Sequence, residues 1–214
     1  MIDVLKQFYG LQPTPPRDLF QFFVWEILSE HALPARRDLA WQALRRLPAL
    51  TPDAMFRAPA KELLEAVSIA GPHREERVER LRAVVGEFKR HRDKLNADAL
   101  QRSTLIGATR TLRRLEHTSP AARMRALLFS LDRTVLPLDA DVNRVVSRLM
   151  GVPKNRQRTR ARRWLDQNLS PDISFYRDAT ISLRHHALHT CLAVAPQCAV
   201  CPLRERCPSH GGEA

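Results

Sequence analysis

The chain has 214 residues, enough for one large or two small domains, and its 44% hydrophobic and 27% charged residues are typical of a globular protein. Aromatic residues make up only 6% and glycine occurs 7 times, which disfavours an all-β protein and favours helices. The formal net charge of +12 indicates a polyanionic partner, with nucleic acid the first candidate and an anionic membrane surface the second. No apolar run approaches the roughly 20 residues of a membrane helix. The first residues show no export signal, so we expect a soluble, cytoplasmic protein.

Helical patterns separated by proline and glycine fill the first half of the chain. Apolar residues recur at helical spacing over 18–31 and cover so much of that helix that we expect it to be buried on most sides. Thr51 is expected to cap a helix that begins at Pro52. Further helices are predicted over 38–47, 60–70 and 78–88.

The second half predicts two helices joined by a tight turn, followed by a third. The first helix spans 105–115, and Pro120 begins the second with Ser119 as its cap. Residues 134–138 are expected to be extended, and Asp139 stands where a cap should be for a helix over 142–150. Ser170-Pro171 is expected to begin a last helix that runs towards His189. Such an arrangement could serve a DNA-binding protein.

All four cysteines lie near the C-terminus, in the pattern C-x6-C-x2-C-x5-C: Cys191, Cys198, Cys201 and Cys207. Two disulfides would need an oxidising compartment, which this chain does not suggest. We therefore predict a metal site. Zinc and an iron–sulfur cluster both accept four thiolates, and the spacing alone does not decide between them.

This cysteine pattern resembles the [4Fe-4S] signature of the endonuclease III family, the helix-hairpin-helix DNA glycosylases of base excision repair. Two other segments match that family: 186–191 resembles its H-G-x-Y-T-C pattern, and 138–145 resembles V-D-T-H-V-x-R-V. The resemblance implies an all-α, bilobal fold with a six-helix domain over 24–133. It also implies a discontinuous domain, 1–23 with 134–214, that carries Asp139 and a [4Fe-4S] cluster held by the four cysteines.

The hairpin departs from the family pattern L-P-G-V-G-x-K-T-A. With Leu115 as its first residue, His117 and Ser119 replace the two glycines, and Ala121 stands at the position of the catalytic lysine. In the family, that lysine forms a Schiff base with the sugar. Alanine cannot do so, and a guanidinium such as that of Arg123 stays protonated at neutral pH.

Asp139 matches the family's catalytic aspartate, although an aspartate before a helix is often only an N-cap. The two roles are compatible, because a helix N-terminus favours an ionised carboxylate. Such a carboxylate can stabilise the positive charge that develops on the sugar as a base leaves, and it can orient a water molecule.

Several residues are candidates for contacts with DNA. His31 follows Ser29-Glu30, where the family has S-A-Q and its Gln fills the gap left by a flipped nucleotide. The alternative is an ordinary polar surface. The full set comprises His31, His117, Thr118, Ser119, Arg123 and Arg144, together with the basic run Lys154, Arg156, Arg158, Arg160 and Arg163.

Two hypotheses follow. The first is a monofunctional or weak glycosylase that uses Asp139 and water and forms no Schiff base. The second is a non-catalytic DNA-binding paralogue. The retained Asp139, Arg144 and cysteines favour the first, whereas the lost hairpin glycines and the altered His31 position favour the second. Both predict a monomer that associates with the nucleoid and binds double-stranded DNA containing a damaged or abasic nucleotide.

Overall fold

A computed structural model describes residues 1–47, 49–151 and 172–210. In this part of the chain all regular structure is helical. The α-helices are α1 (Ile2–Tyr9), α2 (Leu19–Ser29), α3 (Pro34–Arg45), α4 (Pro52–Arg57), α5 (Ala60–Ser68), α6 (Arg74–Arg90), α7 (Ala97–Arg102), α8 (Leu105–Leu112), α9 (Pro120–Phe129), α10 (Ala140–Leu149) and α11 (Ile173–His189). Two short 3₁₀ turns, Cys198–Val200 and Arg204–Arg206, follow α11. The basic run 154–163 and the expected helix start at Ser170-Pro171 lie outside the described residues.

The chain divides into two compact units. One unit is Pro15–Arg133, and the other combines Met1–Thr14 with Thr134–Ala214. The division after Arg133 coincides with the boundary expected from the sequence. At the other boundary the structure divides before Pro15, whereas the sequence analysis placed it after residue 23. The reason is that α2 belongs to the core of the first unit over its whole length.

Helix α2 forms the centre of the unit 15–133. Nine of the ten residues from Leu19 to Leu28, all except Gln21, are buried, which confirms the predicted burial on most sides. Helices α3, α6 and α9 pack against it. One of the buried residues is charged: Glu26 accepts hydrogen bonds at 3.0 and 3.1 Å from Nε of Arg125, a buried residue of α9. A buried pair of this kind is tolerated because each charge compensates the other.

Short polar side chains begin several helices, as the sequence indicates. The side chains of Thr51, Ser119 and Asp139 each accept a hydrogen bond from the backbone N–H three residues further on, at 3.2, 3.0 and 2.9 Å. These three predicted caps are confirmed. Each satisfies one of the N–H groups that the first turn of a helix leaves without an internal partner.

The second unit contains a helix that the sequence analysis did not predict. Helix α1 packs against α11, where it buries Ile2 and Leu5, and Lys6 Nζ lies 2.5 Å from Asp178 Oδ2. Helix α11 also packs against α10. Helices as short as α1 and α7 are marginal in isolation and depend on tertiary packing, so their local sequence carries little signal. No helix in the described part of the chain is long and apolar enough to cross a membrane.

Candidate functional site

The turn between α8 and α9 corresponds to the predicted hairpin. Leu115 is fully buried at its start, and Glu116 and His117 are exposed at its tip. Thr118 is buried and donates its hydroxyl to the Leu115 carbonyl at 2.7 Å. Ala121 lies half-buried in the first turn of α9, immediately after the hairpin.

A buried glutamate of α6 holds the tip of this hairpin. Glu87 is 4% exposed, and its Oε1 accepts hydrogen bonds from the backbone N–H groups of Glu116 at 2.8 Å and His117 at 3.4 Å. Its Oε2 is buried and has no hydrogen-bond partner among the described residues. Two backbone donors of the turn are therefore already occupied by an anion of the protein itself.

Arg123 contacts the hairpin from the other side. Its Nη1 donates hydrogen bonds to the carbonyl oxygens of Leu115 at 2.8 Å and Thr118 at 2.7 Å. Burial lowers the pKa of this guanidinium, and the nearby positive charge of Arg113 lowers it further. Arg123 thus stabilises the turn, and its predicted contact with DNA stays a prediction.

Arg80 of α6 links the hairpin to the end of α2. Its Nη2 donates to Glu30 Oε1 at 2.9 Å and to the His117 carbonyl at 3.4 Å. His31, the residue after Glu30, is exposed. The structure therefore joins the segment of His31 to the segment of His117, two predicted DNA contacts that lie far apart in sequence.

His31 has a second imidazole beside it. The ring of His73 lies 5.8 Å away, centroid to centroid, and both residues have positive φ angles, 52° for His31 and 62° for His73. A positive φ is uncommon for residues other than glycine, although asparagine, aspartate and histidine adopt it more often than the rest. Buried Arg77 stabilises both turns, since it donates to the carbonyls of Glu30 and Pro72 at 2.9 Å each. Sequence reasoning missed His73, Arg77 and Arg80, because nothing in their spacing connects them to His31.

Asp139 begins α10 in the second unit, with both carboxylate oxygens engaged. Oδ1 accepts the N–H of Val142 at 2.9 Å, and Oδ2 lies 3.3 Å from Nε of Arg184 in α11. The side chain is 11% exposed. The carboxylate is thus fixed in orientation beside a positive charge. Arg184 was not predicted as part of the site.

Arg144 connects α10 to the beginning of the cysteine segment. Its three guanidinium nitrogens donate to Asp141 Oδ1 at 2.7 Å, to the Cys191 carbonyl at 3.1 Å and to the Ala187 carbonyl at 3.0 Å. These contacts support a structural role. The predicted contact of Arg144 with DNA stays a prediction.

The four cysteines line one cavity of about 630 Å³, at which α10, α11 and the C-terminal 3₁₀ turns meet. All four side chains are partly buried and form no disulfide. Among residues 1–47, 49–151 and 172–210, no three cysteine, histidine or carboxylate side chains come close enough to hold a single metal ion.

Two nitrogen atoms face cysteine sulfurs in this cavity. Arg148 Nη1 donates to Cys191 Sγ at 3.3 Å, and His186 Nε2 lies 3.7 Å from Cys201 Sγ. Burial lowers the pKa of His186 to about 4, and the neighbouring His185 contributes in the same direction, so this imidazole is neutral at neutral pH. Burial raises the pKa of the Cys201 and Cys207 thiols, and the charge of the neighbouring cysteines raises it further.

The order of the helices, the hairpin between α8 and α9 and the aspartate that begins α10 define the helix-hairpin-helix fold of DNA glycosylases. Solved structures with this architecture include a trapped endonuclease III–DNA covalent intermediate, with a TM-score of 0.69, 15% identity and coverage of 98% of this chain and 93% of that chain. A thermostable thymine-DNA glycosylase has a TM-score of 0.70 and 14% identity, with coverage of 98% and 94%. A DNA-3-methyladenine glycosidase from Bacillus halodurans has a TM-score of 0.55 and 15% identity, with coverage of 87% and 83%. The sequence matches no protein-family model and no curated protein.

These similarities confirm the all-α, helix-hairpin-helix glycosylase fold that the sequence predicts. At such low identities the likeness concerns the fold alone. The catalytic role of Asp139, the DNA contacts and the cluster stay predictions.

Proposed function

We propose that this protein is a DNA glycosylase of base excision repair that hydrolyses the N-glycosidic bond of a damaged or mismatched base without a Schiff-base intermediate. The observation that carries the proposal is the position of Asp139, at the first turn of α10 in a chain with the glycosylase fold. Its substrate is double-stranded DNA with one altered nucleotide, which the protein binds as a monomer. An overall positive charge of +12 favours such a polyanionic partner.

In the proposed reaction, water replaces the base at C1′ of the sugar. As the bond between the sugar C1′ and the base nitrogen breaks, its electron pair leaves with the base and positive charge develops on the sugar. The Asp139 carboxylate stabilises that charge, and Arg184 and the Val142 N–H hold its two oxygens in place. Water then adds to C1′ and gives up a proton, and Asp139 is positioned to accept it. Ala121 provides no amine, so no covalent enzyme–sugar bond forms.

The four cysteines suit a [4Fe-4S] cluster as the resident cofactor. They line one cavity, and Arg148 Nη1 and His186 Nε2 lie 3.3 and 3.7 Å from two of the sulfurs. A cubane is held by four thiolate ligands. Its contribution here is structural, because it would tie the residues after α11 to the helices beneath them.

A second candidate function is that of a non-catalytic DNA-binding protein. One specific observation favours it: Glu87 occupies the N–H groups of Glu116 and His117 at the tip of the hairpin. A turn that offers fewer free donors, next to a buried negative charge, is a weaker phosphate-binding element than a glycine-rich one. The two candidates differ in whether Asp139 acts on a substrate.

The test is a screen for base release from duplexes that each carry a different single lesion. We expect wild-type protein to release one class of base, with strand cleavage only after added alkali and no borohydride-trapped complex. Asp139→Asn should abolish base release, because it removes the negative charge. It keeps an oxygen that can cap α10, so the variant should still fold. Asp18→Asn is the matched control, since Asp18 caps α2 through the same kind of contact. DNA binding without base release from any duplex would favour the second candidate.

A further inference from the structure

A chain of polar contacts runs from α1 to one of the cysteines. The Tyr9 hydroxyl lies 2.7 Å from His186 Nδ1 and 2.5 Å from Thr190 Oγ1, and His186 Nε2 lies 3.7 Å from Cys201 Sγ. His186 is 2% exposed and Thr190 is 4% exposed. The middle of this chain of contacts is therefore buried, and its two ends, Tyr9 and Cys201, are partly buried.

One assignment of donors and acceptors runs from Thr190 through Tyr9 to His186. A tyrosine hydroxyl has a single hydrogen, which it can donate to His186 Nδ1 while its oxygen accepts the hydroxyl hydrogen of Thr190. The contact at one ring nitrogen determines which nitrogen carries the proton. The imidazole N–H is then at Nε2, where it faces Cys201 Sγ.

The position of Tyr9 depends on the packing of α1 against α11. Ile2 and Leu5 are buried, Lys6 forms an ion pair with Asp178, and the Tyr9 ring meets the edge of His185 with centroids 4.7 Å apart. Tyr9 is thus held beside His186 and Thr190, which line the cavity, by a docked helix and not by a loop.

Hydrogen bonds to metal-bound sulfur have a known physical effect. They stabilise negative charge on the thiolate, so they raise the reduction potential of an iron–sulfur cluster and help to retain it. Arg148 provides one such donor at Cys191. With its proton on Nε2, the His186 imidazole that Tyr9 orients provides another at Cys201.

We propose that Tyr9 and His186 are positioning residues for the cluster, with Tyr9 orienting the imidazole so that its N–H faces Cys201. This inference rests on the cluster of the proposed function. It makes α1 part of the cofactor site, and it makes the potential and retention of the cluster depend on a residue at the other end of the chain.

The experiment compares anaerobically prepared wild type, Tyr9→Phe and Tyr176→Phe by iron content, redox potential and resistance to an iron chelator. Tyr176 is the only other tyrosine of the chain and lies in α11 ten residues before His186, so it provides the matched control. We expect Tyr9→Phe to shift the potential to more negative values. It should also lose half its iron at a roughly tenfold lower chelator concentration. Tyr176→Phe should resemble the wild type.

His186 variants keep the proposal testable if Tyr9→Phe fails to fold. His186→Gln retains an N–H that can approach the sulfur, whereas His186→Leu does not. The reduction potential of His186→Gln should therefore lie closer to the wild-type value than the potential of His186→Leu does.

Two results would overturn the inference. One is an unchanged potential and chelator midpoint in Tyr9→Phe, or equal potentials in the two His186 variants. The other is a wild-type protein that contains zinc or no metal after anaerobic reconstitution with iron and sulfide, which would reject the cluster as well. Base release is measured in a separate assay. A failure of the glycosylase proposal is therefore distinguishable from either of these two results.

Discussion

Single charged side chains hold the candidate catalytic elements in place. Arg184 meets Asp139 at the start of α10, and Arg123 donates to two carbonyls of the hairpin. The guanidinium groups of both arginines contact other groups of the protein. Neither can replace the lysine amine that forms a Schiff base in a lyase, because a guanidinium stays protonated. The residue that decides between hydrolysis and Schiff-base chemistry is Ala121, which lies in the first turn of α9.

Ala121→Lys tests whether this position corresponds to the lost lysine. The side chain is half-buried at the edge of the hairpin, so a longer residue can extend into solvent. We expect the new amine to form a borohydride-trapped complex with an abasic-site duplex, where no base needs to be recognised.

Ala121→Gln is the control for this variant, because it adds similar length without a nucleophile. If a folded, DNA-binding Ala121→Lys protein gives no trapped complex, the hairpin register assigned here is wrong.

At the scale of elements, α6 organises the hairpin in place of the glycines. Glu87 binds two N–H groups of the turn, and Arg80 binds the His117 carbonyl and the Glu30 side chain. Positive φ favours glycine, whereas this turn has no positive φ and is stabilised by side chains from a neighbouring helix. These contacts place the buried Glu87 carboxylate beneath a surface expected to face phosphates.

Glu87→Gln should therefore strengthen DNA binding. The amide oxygen can still accept from the turn, while the charge that repels phosphate is removed. An effect of about 1 kcal/mol, or roughly fivefold in the dissociation constant, is reasonable for one charge near a protein surface. The measurement is a fluorescence-anisotropy titration with duplex DNA.

The control is Glu79→Gln, the same change on the exposed side of α6. Equal effects of the two variants would indicate a general charge effect and not a local one at the hairpin. A weaker affinity of Glu87→Gln would mean that the carboxylate is needed to shape the DNA-binding turn.

For the whole molecule, the positive charge is the property most directly linked to DNA. The dense basic run 154–163 lies between α10 and α11 in sequence. If its side chains neutralise phosphates, each contact releases counterions from the DNA. Binding should then depend strongly on salt concentration.

Changing Lys154 and Arg156 to Ala should make the slope of log K against log[salt] shallower by about two units. A double change of Arg57 and Lys61, which are exposed on α4 and α5, removes the same charge elsewhere and should alter the slope less. An unchanged slope in the first variant would show that the run is only a solvated surface.

Local patterns in the sequence were enough to predict most of the helices, the caps at Thr51, Ser119 and Asp139, and a fold like that of the endonuclease III family. These features depend on contacts between residues three or four apart, or on motifs that can be read directly. The pairs that shape the candidate sites are different: Glu87 lies 29 residues from Glu116, and Tyr9 lies 177 residues from His186. A single charged or polar residue carries no periodic signal that identifies its partner. Only the packing of α6 beside the hairpin, and of α1 and α10 against α11, brings these groups within hydrogen-bonding distance.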